Sequence, residues 1–222
     1  MGKILVWDLP LRLFHWLLVA LVIVSVISAE VGGNAMQIHM LSGYTVLTLV
    51  LFRILWGFLG STHARFASFV RGPAAVIAYL RGLPRHEAGR HLGHNPAGAW
   101  SVILMLALLL LQAATGLFAN DDISAEGPLA KLVSKTLSDR ITGIHQFNVV
   151  LLYVLIGLHL SAVAFYVFYK RDNLVKPMLT GFKDAATGIG DTGQTQGRTW
   201  LAALLLAACT GSVYLLLKLA AA

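Results

Sequence analysis

Five apolar stretches, each close to the length of a membrane crossing, dominate this sequence: residues 14–30, 38–58, 98–119, 146–168 and 200–217. About twenty apolar residues in a helix span roughly 30 Å of hydrocarbon. In lipid a backbone must satisfy its own hydrogen bonds, so stretches of this kind fold as helices. With 57% hydrophobic residues and a mean hydropathy of +0.74, the chain is far more apolar than a soluble domain. The expected fold is all-α: an integral membrane four-helix bundle followed by an appended C-terminal fifth transmembrane helix.

The net charge of +7 does not point to nucleic acid, because the cations flank the spans and follow the rule that cytoplasmic loops are enriched in Lys and Arg. With the N-terminus inside, twelve of them are cytoplasmic: Lys3, Arg12, Arg65, Arg71, Arg81, Arg85, Arg90, Lys170, Arg171, Lys176, Lys183 and Arg198. Only Lys131, Lys135, Arg140 and Lys218 are then outside, the first three beside Glu30, Asp121, Asp122, Glu126 and Asp139. The expected placement is multi-pass in a bacterial inner (plasma) membrane, N-terminus cytoplasmic. Lys3 and Arg12 ahead of an apolar run reaching Ser28 and Ala29 also resemble a signal peptide. Cleavage would discard His15, and the segment is read as a span.

Residues 1–183 form the bundle, 184–199 a Gly, Thr and Gln-rich tether and 200–222 the last helix. In the inner loop, residues 73–83 read as a short interfacial helix. In the outer loop, Gly127-Pro128 followed by Leu129, Leu132, Val133 and Leu137 reads as an amphipathic cap. The single cysteine, Cys209, lies in the last span and is assigned to packing; it excludes a disulfide framework or a cysteine-held cluster within the chain.

Polar side chains inside a membrane are costly and need partners. His145 and His159 stand fourteen residues apart in one span. That is about 3.9 turns and 21 Å of rise, which puts both rings on nearly one face at two depths. In the expected topology His15 matches the inner depth of His159, and His39 the outer depth of His145. Two pairs of imidazoles from different helices are the arrangement for two bis-histidine haems in a bundle core. No Cys-x-x-Cys-His occurs, so the haems would be non-covalent and of b type. One zinc site cannot use both levels. Gly43, one turn after His39, and Ala162, three residues after His159, leave room for a flat macrocycle. Arg53, fourteen residues after His39, is placed to pair with a haem propionate at the inner level, and Arg12 and Arg140 flank the two sites; the alternative for all three is snorkelling to lipid headgroups. His63, His86, His91 and His94 lie among arginines in the inner loop and are read as solvated.

Val6-Trp7-Asp8, Arg12, His15-Trp16, His39 with Gly43, Arg53 with Trp56-Gly57, His63-Ala64-Arg65-Phe66, Gly93-His94-Asn95-Pro96, His145 and His159 together resemble the bacterial cytochrome b561 family. That family includes the b-type membrane subunits of NiFe hydrogenases and, more distantly, of formate dehydrogenases. The resemblance covers residues 4–183. It implies a di-haem b core, with His15, His39, His145 and His159 as iron ligands, that moves electrons between a quinone pool and a redox partner. It also implies a quinone site beside the inner haem, for which Asn95 is the nearest equivalent here.

The expected function is therefore electron transfer between quinone and a periplasmic partner, either a c-type cytochrome or a hydrogenase-like catalytic subunit. No catalytic side chain is assigned. Asp121, Asp122 and Glu126 would suit the docking of a basic partner. Two other classes stay open: a proton-conducting transporter, and a haem-containing assembly or sensor subunit without turnover of its own.

Overall fold

A computed structural model describes residues 3–83, 92–123, 125–184 and 198–220. Of the expected tether 184–199, Asp184 ends a strand and Thr199 begins the last helix; its residues 185–197, like Arg85, His86, Arg90 and His91, lie outside the described residues. Among the described residues five helices are long and apolar enough to cross a membrane: α1 (Leu9–Val31), α2 (Met36–Leu59), α5 (Pro96–Gly116), α6 (Lys135–Ala164) and α8 (Thr199–Ala220). Short helices α3 (Phe66–Phe69) and α4 (Pro73–Gly82) follow α2, and α7 (Val175–Thr180) follows α6. The α4 helix lies where the interfacial helix is expected.

Polar caps start the core helices. Asp8 Oδ1 accepts from Leu11 N at 2.8 Å to open α1, and Asn95 Oδ1 accepts from Gly98 N at 2.7 Å to open α5. Ser134 opens α6 in the same way. Pro10 and Pro96 occupy first-turn positions, where the missing N–H costs nothing.

The bundle is two hairpins joined at one seam. The antiparallel pairs α1/α2 and α5/α6 pack together through α2 and α5, whereas α1 and α6 make no extended contact. The α1/α2 register is fixed at both ends. Trp56 Nε1 donates to Asp8 Oδ2 at 3.0 Å, and the Ser25 and Ser42 hydroxyls bond at 2.6 Å. Leu11, Phe14, Leu49, Val50, Phe52, Trp56, Leu106, Leu109 and Leu152 form the core. Leu13, Leu17 and Ile27 of α1 and Phe147, Val154 and Leu158 of α6 are exposed, as a lipid-facing surface requires. The α8 helix lies along the flank of α2, burying Ala202, Cys209 and Val213.

Two features differ from the sequence expectation. Strand β1 (Lys3–Leu5) pairs antiparallel with β2 (Phe182–Asp184), a ribbon the apolar pattern does not announce. The outer cap is not a separate helix. Gly127 folds back onto the end of α5, its N–H bonded to Ala119 O at 2.7 Å, and a Cβ there would meet Leu117 O at 2.4 Å. Only a 3-10 turn, Ala130–Leu132, follows before Val133 becomes extended and Ser134 caps α6. Leu137, read as part of the cap, belongs to the first turn of α6.

Candidate functional site

The four histidines sit at two levels, called here proximal (the end carrying β1) and distal. At the distal level the ring centres of His39 and His145 are 6.3 Å apart, with planes at 85°. Two imidazoles that share one metal through bonds of about 2 Å have ring centres about 6 Å apart. Each ring is oriented from behind. His39 Nδ1 donates to Ser25 O at 2.9 Å, and His145 Nδ1 donates to Gln112 O at 3.0 Å with the Thr115 hydroxyl 3.1 Å away. A carbonyl only accepts, so Nδ1 carries the proton and Nε2 keeps its lone pair, the tautomer a metal ligand needs. Beside it, Gln112 Nε2 lies 3.0 Å from His145 Nε2. Buried Asn148 holds that amide in turn, donating to Gln112 Oε1 at 2.7 Å and to Leu108 O at 2.9 Å. Gly116 makes the ring's position possible, since a Cβ there would lie 3.0 Å from His145 Cε1.

At the proximal level His15 of α1 and His159 of α6 come within electrostatic range of each other. They stand on the two helices that do not pack together. His15 Nδ1 is buried without a hydrogen-bond partner. Among the described residues no three His, Cys, Asp or Glu side chains converge. The donors come in pairs, and each pair would suit a haem held by two imidazoles.

The α1/α2 register sets Arg53 level with the turn of α1 that carries Arg12 and His15. Arg53 is 2% exposed, its guanidinium 5.0 Å from the centre of the Phe66 ring. Phe66 reaches that position because Gly57 has no side chain; a Cβ there would fall 2.1 Å from the ring. The Trp56-Gly57 and Ala64-Arg65-Phe66 motifs thus build the wall around one buried cation. Gly43 has open space where a side chain would stand, as a cradle for a flat group requires. Arg140 is exposed on α6, five residues before His145.

Two residues depart from the sequence reading. His63 and His94, expected to be solvated, have His63 Nε2 and His94 Nδ1 buried. His94 packs between Trp7 and Phe69, its ring centre 4.7 and 4.6 Å from theirs. Burial, reinforced by the nearby Arg53 guanidinium, pushes the His94 imidazole down to about 3. Burial also lowers that of His63. Both are therefore neutral at pH 7. Asn95 is held at both ends of its amide, its Oδ1 capping α5 and its Nδ2 donating to the Tyr166 hydroxyl at 3.2 Å, with a second N–H left over. Tyr166 also bonds the Tyr79 hydroxyl of α4.

Sequence reasoning passed over Ser25, Gln112, Thr115 and Asn148. The signal was present: polar residues inside apolar spans ask for partners by the argument that singled out the histidines.

Residues 6–181 match the prokaryotic cytochrome b561 family. A probable Ni/Fe-hydrogenase B-type cytochrome subunit from Rhizobium leguminosarum bv. viciae is 24% identical over 140 residues, covering 51% of this chain. The chain spans 58% of that relative's length. No solved structure matches. With the match running through all four bundle helices, from the residue after β1 to the one after α7, the chain belongs to the prokaryotic cytochrome b561 family and is a multi-pass membrane cytochrome of b type.

Proposed function

We propose that this chain carries two b haems, one between His15 and His159 and one between His39 and His145, and relays electrons between a quinone and a redox partner across a bacterial inner membrane. The observation that carries the reading is the distal pair, 6.3 Å between ring centres with both Nδ1 protons tied to carbonyls. When bound, haem iron takes up and releases one electron at a time. The helices hold the imidazoles at fixed levels, Ser25 and Gln112 fix their tautomer, and the apolar core keeps water away.

The excess of Lys and Arg at the proximal end supports a cytoplasmic N-terminus. The quinone belongs at that end, near His159, Arg53 and Asn95, where Tyr166 and Tyr79 add hydroxyls. The name of the Rhizobium relative supports a hydrogenase-like partner at the distal face. Asp121, Asp122 and Glu126 line a hollow there and would equally receive a basic c-type cytochrome.

The test is a reduced-minus-oxidised spectrum with haem quantitation on purified protein, then reduction by a quinol. Two equivalents of haem b, reduced by quinol, are expected. A transporter would give no haem spectrum, and a sensor or assembly subunit would hold haem that quinol does not reduce. Asn95→Asp keeps an acceptor for the α5 cap and is expected to slow reduction by quinol with both haems retained.

A further inference from the structure

Seven buried side-chain polar atoms lack a hydrogen-bond partner among the described residues, and six of them are nitrogens at the proximal end. They are Arg12 Nε, His15 Nδ1, Arg53 Nη1 and Nη2, His63 Nε2 and His94 Nδ1. The seventh, Asn148 Oδ1, lies next to the distal pair. A buried donor without an acceptor is expensive, and a buried guanidinium more so. Clustering of that cost at one end calls for a common acceptor.

Among the described residues none supplies it. Asp8 is the acid within charge range of Arg53, but its Oδ1 is taken by Leu11 N and its Oδ2 by Trp56 Nε1. The ion pairs among the described residues involve Lys135 and Lys183, not Arg53. The surroundings keep the donors in place. Phe66 lies under Arg53, Trp7 and Phe69 enclose His94, and Gly181 leaves room for Arg12, whose Nη1 would lie 2.9 Å from a Cβ there. An acceptor able to meet these donors would carry several oxygens and negative charge.

We propose that Arg53, His63 and His94, with Arg12, form an oxyanion cradle that receives the carboxylates of the proximal haem. This rests on the two-haem reading above and adds two histidines that the axial pairs do not use. Arg53 supplies a two-pronged donor matched to a carboxylate, and neutral His63 and His94 each supply one N–H. The distal level has no comparable set: its unpartnered atom is an acceptor. The two haem sites therefore differ in their need for charge on the ligand.

The same chemistry would fit the phosphate of an anionic lipid, and the experiment separates the two. Haem-depleted protein is titrated with haem or with haem dimethyl ester, in which both carboxylates are masked, and uptake is read from the Soret band and the final stoichiometry. In the wild type one equivalent of each should bind alike, while the second equivalent binds the ester at least about tenfold more weakly, the value of a charge-assisted hydrogen bond. Arg53→Gln and His94→Gln should weaken the second equivalent of haem and leave the ester unchanged, and Arg53→Lys should restore part of the loss.

Equal uptake of haem and ester by the wild type overturns the proposal. If Arg53→Gln then also loses binding to phosphatidylglycerol vesicles, the cradle belongs to lipid. A wild type that takes up the first equivalent but never a second defeats the proximal haem and this inference with it. A wild type that binds none defeats the two-haem reading itself.

Discussion

Trp56 Nε1 donates to Asp8 Oδ2 at 3.0 Å across 48 residues of sequence, while the other carboxylate oxygen caps α1. One side chain thereby starts a helix and locks the register between α1 and α2, which sets the level of Arg53 against His15.

Replacing Asp8 by Ala removes both contacts. Loss of the cap costs about 1 kcal/mol, and an unpaired buried indole N–H about 1–3 kcal/mol. Thermal unfolding in detergent should show a clearly lowered midpoint, whereas Asp8→Asn, which keeps an acceptor oxygen for the cap, should fall between. A midpoint equal to wild type would show that the pair does not hold the register.

The pairing of levels makes a prediction about combinations. His39→Ala and His145→Ala should each remove one haem equivalent, and the double variant should remove the same single equivalent. His39→Ala with His159→Ala should remove both. Haem quantitation after purification reads the outcome, and two lost equivalents from the His39/His145 double variant would contradict the pairing.

Gly116 faces His145 so closely that a Cβ would stand 3.0 Å from Cε1. Gly116→Ala should be accommodated by a small shift of the ring, and Gly116→Val should displace it and lower distal haem occupancy. The proximal site should be unaffected, because it lies about four turns away along α6.

Cys209, the sole cysteine, is 5% exposed in the seam between α8 and α2. A membrane-permeant maleimide should label it slowly in native membranes and readily after unfolding. Ala202 lies two turns earlier and is equally buried, so Ala202→Trp should wedge α8 away and speed labelling; unchanged rates would show that α8 is not seated on α2.

The spans, their number and the two levels of histidine were legible from apolar length and spacing, because lipid allows few backbone solutions. The ends of the helices were less so. Gly127-Pro128 has the composition of a helix start, yet the structure uses Gly127 for close approach to Leu117 O, a tertiary demand that local pattern does not contain. The arginine-rich neighbourhood of His63 and His94 reads as solvated, but aromatic residues distant from His94 in sequence, Trp7 and Phe69, enclose its ring. The roles of Gln112 and Asn148 depend on which faces of α5 and α6 meet, and that is settled by packing rather than by residue type.

The small ribbon of Lys3–Leu5 with Phe182–Asp184 bears on the order of assembly. Its second half is synthesised only after all four bundle helices, so Lys3–Leu5 have no strand partner until residue 184 has emerged. The clasp is necessarily a late event in biogenesis. Until it closes, the strand that precedes α1 lacks the ladder bonds that tie it to the segment after the bundle.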